Sequence, residues 1–400
     1  MSEEMEKLYE GKLERYVTAM QNKKPDRIPI RPFAAEFAGK YAGFTCQEVT
    51  HDVDKALEAV RICARDFEWD ATVGNMVFVW TGIVDAIGLK YYTIPGVDDA
   101  SPDDVFQYIE PQDEENAYMK ADEYDHLIAD PTEFLATVWL PRVSKDLSKA
   151  GEPCSYRSNM AWLKGGMAML NYYQRLGEQG DLLRTECGTV SAIAGALKAP
   201  CDILADKLRG YRQLSADMFR QPDKVVAACQ ALMPHMKYNA LAGADPDKNV
   251  PITVWLHRGC APFMSPNAYE KFYWPTLKQI IEEIWAEGHQ ILFYAEGNWD
   301  QNLKYTAELP DKSIIYHVDR GDILEVHKHV GHKFCLSGGL PNDLLTYGTP
   351  NDVRECCKKI IDGVAKDGGY VMDAGAIIQH DAEIENVKAM TEFTLEYGVY

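Results

Sequence analysis

Glu296 follows the short apolar run Ile291-Leu-Phe-Tyr-Ala295, and His317 follows Ser313-Ile-Ile-Tyr316, with one helical crossover between the two runs. In a parallel β/α sheet successive strand ends face the same side, so this spacing predicts that the two side chains converge on one mouth. A carboxylate and an imidazole meeting there are suitable donors for Zn2+, which catalytic sites hold with three protein ligands and one open position. Glu296 and His317 are the expected metal ligands. The third is left open among His257, Asp373, Cys335 and His380.

The neighbouring strand ends carry more polar side chains. The run at 252–257 ends in His257-Arg258-Gly-Cys260, Glu296 leads into Gly-Asn298-Trp299-Asp300, and His317 into Val-Asp319-Arg320. Cys335 precedes Ser337-Gly-Gly-Leu-Pro341, and the last run ends at Asp373-Ala-Gly-Ala376, with Gln379-His380 close behind. Asn298 and Asp373 are placed to orient ligands or substrate, so the expected catalytic set is Glu296, His317, Asp373 and Asn298. His257 is expected to touch substrate, although a histidine at a strand end hydrogen-bonds within the core as often as it ligates. His327, His329 and His332 do not share one helix face and read as a solvated helix end. Cys356 and Cys357 fall mid-helix and read as structural.

Positioning these residues takes a repeating scaffold. Strand-like runs occur near 183–187, 252–257, 291–295, 313–317, 333–337 and 369–373, with helical segments between most of them. Phe272, Tyr273, Leu277, Ile280, Ile281 and Ile284 form one helical stripe, and Thr349-Pro350 starts another helix with a cap residue and a proline. Pro25 to Ile30 and Trp69 to Val77 supply two further strands and bring the count to eight. The expected fold is α/β, a (β/α)8 TIM-like barrel spanning 1–400 as a single domain, preceded by an amphipathic helix at 4–21. Residues of about 80–180 have poor periodicity and read as a lid-like insertion. Within it Met160, Trp162, Met167, Met169, Tyr172 and Tyr173 crowd together, and Tyr156, Tyr172 and Tyr173 are expected to line a pocket for a planar ring.

Composition narrows the function classes. A chain of 400 residues with 46% hydrophobic content can bury a large core. A net charge of −20 argues against nucleic acid or an anionic membrane surface as partner. Ten cysteines without a CxxC frame and a charged N-terminus fit a reducing cytoplasm. No apolar run approaches the roughly 20 residues of a membrane span. The oligomeric state stays open, a homodimer included.

Several motifs resemble the uroporphyrinogen decarboxylase superfamily over nearly the whole chain. They are Pro25-Asp-Arg-Ile-Pro-Ile30, Ser265-Pro-Asn-Ala-Tyr-Glu-Lys-Phe272 with Pro275, Gly-Gly-Leu-Pro341, Gly348-Thr-Pro350 and Glu385-Asn-Val-Lys-Ala-Met390. The decarboxylases of that superfamily bind tetrapyrrole propionates through an arginine-rich N-terminal segment. Here that stretch, Ile30-Arg-Pro-Phe-Ala-Ala-Glu-Phe37, has one arginine and a carboxylate. The superfamily also holds zinc methyltransferases that work with corrinoid proteins. Those acting on coenzyme M use His-x-Cys and Gly-Cys, where this chain has Tyr294-Ala-Glu296 and Gly375-Ala376.

The chain looks closer to the methyltransferase I components of anaerobic aryl O-demethylases, whose Glu, x20, His arrangement is similar to Glu296 and His317. An upstream glutamate also belongs to that arrangement; the nearest here, Glu282 and Glu283, are displaced in spacing. The resemblance implies transfer of a methyl group from a methoxylated aromatic to the cob(I)alamin of a separate corrinoid protein, with Zn2+ as cofactor. Its alternatives are a methylcorrinoid:thiol methyltransferase and a uroporphyrinogen-type decarboxylase. Carboxylate and imidazole ligands would make the zinc harder than thiolates do, suited to an ether oxygen.

Overall fold

The computed structural model describes residues 2–74, 81–90, 92–97 and 99–400. Six parallel strands form one sheet in the spatial order Tyr370–Val371, Cys335–Gly338, Ile314–Val318, Ile291–Ala295, Ile252–Leu256 and Ala196–Lys198. Ala71–Thr72 and Val190–Ser191 make a separate parallel pair. Single backbone hydrogen bonds connect the two sets. Met372 N–H donates to the Pro29 carbonyl, Arg31 N–H to that of Met372, and Asp70 and Ala71 N–H to that of Ile30. On the other side Val190–Ser191 continues through Gly195 into Ala196–Lys198, and Ala194 N–H donates to the Pro251 carbonyl. Taking 190–198 as one segment, eight extended segments pass hydrogen bonds from each to the next in the manner of a TIM-like barrel.

Strands Ile291–Ala295 and Ile314–Val318 are buried along their whole length, as expected of a sheet covered on both faces. Alternate residues enter different clusters. Leu292, Tyr294, Ile315, Cys335 and Val371 join Phe33 and Val190 inside the barrel. Ile291, Phe293, Ile314 and Tyr316 pack outward with Leu277, Ile280 and Ile281 of helix Trp274–Ala286. Helix Glu3–Met20, capped by Ser2, lies against helix Tyr156–Cys187 and against strand Tyr370–Val371.

Two expectations are corrected. The run at 183–187 is the last stretch of the 32-residue helix Tyr156–Cys187, which ends where Gly188 takes the left-handed conformation at φ 55. The third strand lies beyond it, at 190–198. Residues 80–180 also divide differently, because the long helix packs on helix Thr81–Ile87 and also runs along helices Glu3–Met20 and Val53–Asp66 of the barrel's helical layer. The inserted part carries helix Thr81–Ile87, the antiparallel pair Tyr92–Thr93 and Gln107–Tyr108, and the short helices Tyr124–Ala129 and Pro131–Phe134. Of the expected strand Trp69 to Val77, Ala71–Thr72 is formed, and 75–77 lie outside the described residues. Among the described residues no helix is long and apolar enough to cross a membrane.

Candidate functional site

The strand register sets one row of side chains across the barrel interior. Lys198 pairs with Trp255, Trp255 with Tyr294, Tyr294 with His317, and His317 with Ser337. The next inward-facing positions, two residues on, are His257, Glu296 and Asp319. Glu296 and His317 therefore occupy successive layers, separated by roughly 6.6 Å of rise along a strand. This offset is why the two do not meet as their strand-end positions suggest.

His317 is sealed, with 0% of its side chain exposed. Its ring stacks on Tyr294 at 4.0 Å between centroids. Nε2 lies 2.8 Å from the Gly375 carbonyl, which can only accept, so Nε2 carries the proton. Nδ1 is left to accept from Ser337 Oγ at 3.0 Å, with Arg31 Nη2 at 3.4 Å. Burial, helped by the Arg31 guanidinium, holds this imidazole well below its ordinary pKa, so it is neutral. Asp373 pairs with Arg31 at 2.8 Å, yet burial outweighs that pairing and raises its carboxyl to about 7.

The accessible polar groups gather one strand over. Lys198, His257 and Glu296 keep 22%, 28% and 30% of their side chains exposed. His257 Nδ1 is 2.6 Å from Asp206 Oδ2, and Nε2 is 3.2 Å from Glu296 Oε2. Both carboxylates accept, so both ring nitrogens carry protons. Lys198 Nζ lies 3.1 Å from Asp206 Oδ2 and 2.9 Å from His257 Nδ1. Burial and Lys198 work against the imidazolium, but Glu296 and Asp206 prevail and raise its pKa. Burial would likewise raise Asp206, but Lys198, His257 and Arg258 hold it well below the carboxylate range.

Two further carboxylates fix the frame. Asp202 accepts from the backbone N–H of His257 and of Arg258, both at 2.9 Å, and from Tyr273 Oη at 2.6 Å, anchoring the loop after strand Ile252–Leu256. Arg258 reaches Asp206 at 3.0 Å and Glu110 at 2.8 Å, and Glu110 is the insertion's contribution. Half-buried Trp255 stands directly below His257 on the same face, beside Phe33 at 6.0 Å between ring centroids.

On donor geometry these residues do not fit the zinc centre expected at Glu296 and His317. Both His317 nitrogens are taken by protein partners, and a cation, Arg31, faces the one lone pair. His257 does approach Glu296, but Asp206 and Glu296 sit at opposite ring nitrogens and so share no vertex with it. Asp373 is paired with Arg31. Cys335 is fully buried with its thiol pushed well up, and His380 is half-buried with Nδ1 lacking a partner among the described residues. Among the described residues no three His, Cys, Asp or Glu side chains are grouped to hold a metal ion.

The remaining expected residues lie elsewhere. Asn298 shapes its own loop, its Oδ1 accepting from Asp300 N–H at 3.0 Å and its carbonyl from Ala261 N–H. Tyr156 and Tyr173 are 82% and 60% exposed, while Tyr172 is buried against Ala35, Val49 and Ala56. Lys198, Asp202 and Asp206 were not foreseen. Ala199-Pro200-Cys201-Asp202 signalled them, since proline at a first helical position two residues after Lys198 marks a strand-to-helix turn.

A parallel α/β barrel with its accessible polar cluster at the carboxyl ends of adjacent strands is the architecture of TIM-like barrels with a mouth site. A family model described as uroporphyrinogen decarboxylase (URO-D) matches residues 171–397, and the chain belongs to that family. Its fold is similar to that of a methyltransferase from Methanosarcina mazei, with a TM-score of 0.62 and 16% identity over 96% of this chain and 98% of that one. No curated protein matches the sequence.

Proposed function

We propose that the chain is a methyltransferase that moves a methyl group from a methoxylated aromatic to the cob(I)alamin of a separate corrinoid protein. The observation that carries this reading is the juxtaposition of half-buried Trp255 with the cationic pair Lys198 and His257 at the barrel mouth. A planar ring packs well against an indole, and the cations stand where an ether oxygen gains charge as its methyl leaves. Phenolate is a poor leaving group, with a conjugate-acid pKa near ~10 for a tyrosine-like phenol, so such stabilisation is what the reaction needs. The similarity in fold to a methyltransferase supports the same reading. A tetrapyrrole decarboxylase is disfavoured because Arg31 is fully buried against Asp373 and cannot reach a propionate.

The reduced corrinoid supplies a strong nucleophile for the methyl carbon. This chain's residues bind the ring, hold the ether oxygen and keep its charge paired. The test is anaerobic incubation of the protein with cob(I)alamin and a panel of methoxylated aromatics. The expected result is loss of cob(I)alamin absorbance with release of the matching phenol. Absence of phenol from every ether in the panel overturns the reading.

A further inference from the structure

We propose that Lys198 is the residue that stabilises the leaving oxygen, beside His257 and positioned by Asp206, an assignment that rests on the aryl-ether reading above. Lys198 is the last residue of strand Ala196–Lys198, so its side chain rises at the carboxyl end of the barrel. Asp206 accepts one N–H of its ammonium at 3.1 Å, while the His257 ring lies at 2.9 to 3.3 Å but, protonated at both nitrogens, offers it no acceptor. Among the described residues it has no further hydrogen-bond partner, and the side chain is partly exposed. The remaining N–H groups are thus available to a substrate oxygen. Arg258 is not an equal candidate, because Asp206 and Glu110 take its guanidinium and Phe263 covers it at 4.8 Å.

The ammonium is fixed rather than merely nearby. Asp206 is nearly buried on the π-helical turn Ile203–Arg209 and is held by Lys198, His257 and Arg258 together. A pre-set donor in a partly dry site needs no reorganisation as charge develops. In the step, the methyl carbon–oxygen bond breaks and its electron pair stays on oxygen, where Lys198 pairs it. The new carbon bond uses the electron pair of the cobalt(I) acceptor, and the released phenolate takes its proton from solvent. The role resembles that of a Lewis-acid metal, supplied here by a side chain.

The test compares wild type with Lys198→Met, Lys198→Arg and Asp206→Asn on anisoles whose parent phenols span a range of acidity. Thermal melts confirm folding, and elemental analysis follows dialysis against a chelator. Lys198→Met is expected to lose roughly 10²-fold or more on ethers of weakly acidic phenols, the scale of removing one such donor, and progressively less as the phenol becomes more acidic. Lys198→Arg should recover part of the loss, and Asp206→Asn should follow the same trend more weakly. Activity should not track metal content. Equal loss across the series overturns the assignment. So does a wild-type rate that requires zinc lost from both Glu296→Gln and His317→Gln. A wild type inactive on every ether overturns the aryl-ether reading instead, and this assignment falls with it.

Discussion

Glu36 shows what a single buried group can cost this fold. It lies in the interior at the start of helix Glu36–Ala42, and neither carboxylate oxygen has a partner in hydrogen-bond geometry among the described residues. Burial raises its pKa to about 7, opposed only in part by the backbone amides of Glu36 and Phe106. A carboxyl whose folded pKa exceeds its unfolded value binds protons more tightly when folded. Its penalty is absent below the unfolded pKa near ~4.3, grows as pH rises, and is complete above about 7. Glu36→Gln is therefore expected to stabilise the protein at pH 8, by on the order of 2 to 3 kcal/mol, and to leave it nearly unchanged at pH 4. Urea denaturation at the two pH values checks this, and equal effects at both would refute it. Sequence could not reveal that penalty, because it depends on what covers the carboxyl. The same limit applied at the site. Glu296 and His257 were legible as polar residues ending apolar runs, whereas the sealing of His317 by Arg31, Ser337 and the Gly375 carbonyl involves partners 286, 20 and 58 positions away.

Among the elements, strands 252–256, 291–295, 314–318 and 335–338 could be read because each is a short apolar run bounded by turns. The segment 190–198 escaped because Val-Ser-Ala-Ile-Ala-Gly-Ala-Leu-Lys is rich in small residues and broken by Gly195 at φ 83. Missing that strand also hid Lys198 and the turn bearing Asp202 and Asp206, so one error in element placement removed half the site. A strand end can also be demanding in a way that only the fold shows. Gly338 closes Cys335–Gly338 at φ 80, and a Cβ there would lie 2.5 Å from the Val318 carbonyl oxygen and 2.9 Å from His317 Cε1. Backbone and a locked ring cannot easily yield, so Gly338→Ala combines a left-handed alanine with a clash. The expected loss is about 2 kcal/mol or more, read as a lower denaturation midpoint. An unchanged midpoint would mean that the His317 layer adapts more freely than its hydrogen bonds imply.

At the scale of the whole molecule, the net charge of −20 works against the compact state through self-repulsion, while ion pairs work for it. Their responses to salt differ. Screening lengths fall from roughly 30 Å at 0.01 M to about 3 Å at 1 M, so repulsion among exposed carboxylates is largely removed. The strongest ion pairs are shielded from that change. Asp70 is fully buried and receives Arg15 at 2.6 Å and Arg27 at 2.7 Å, and Arg209 meets Asp217 at 2.6 Å with both side chains covered. Exposed pairs such as Lys328 with Glu325 will weaken, but each contributes at most about 1 kcal/mol. Relief of repulsion should therefore win, and the melting temperature should rise by a few degrees between ~0.01 M and ~0.5 M NaCl, measured by calorimetry at constant pH. Using chloride as the anion limits the separate stabilisation that strongly excluded salts such as sulfate produce. A melting temperature that falls with salt would show instead that surface ion pairs, rather than surplus negative charge, set the electrostatic balance of this barrel.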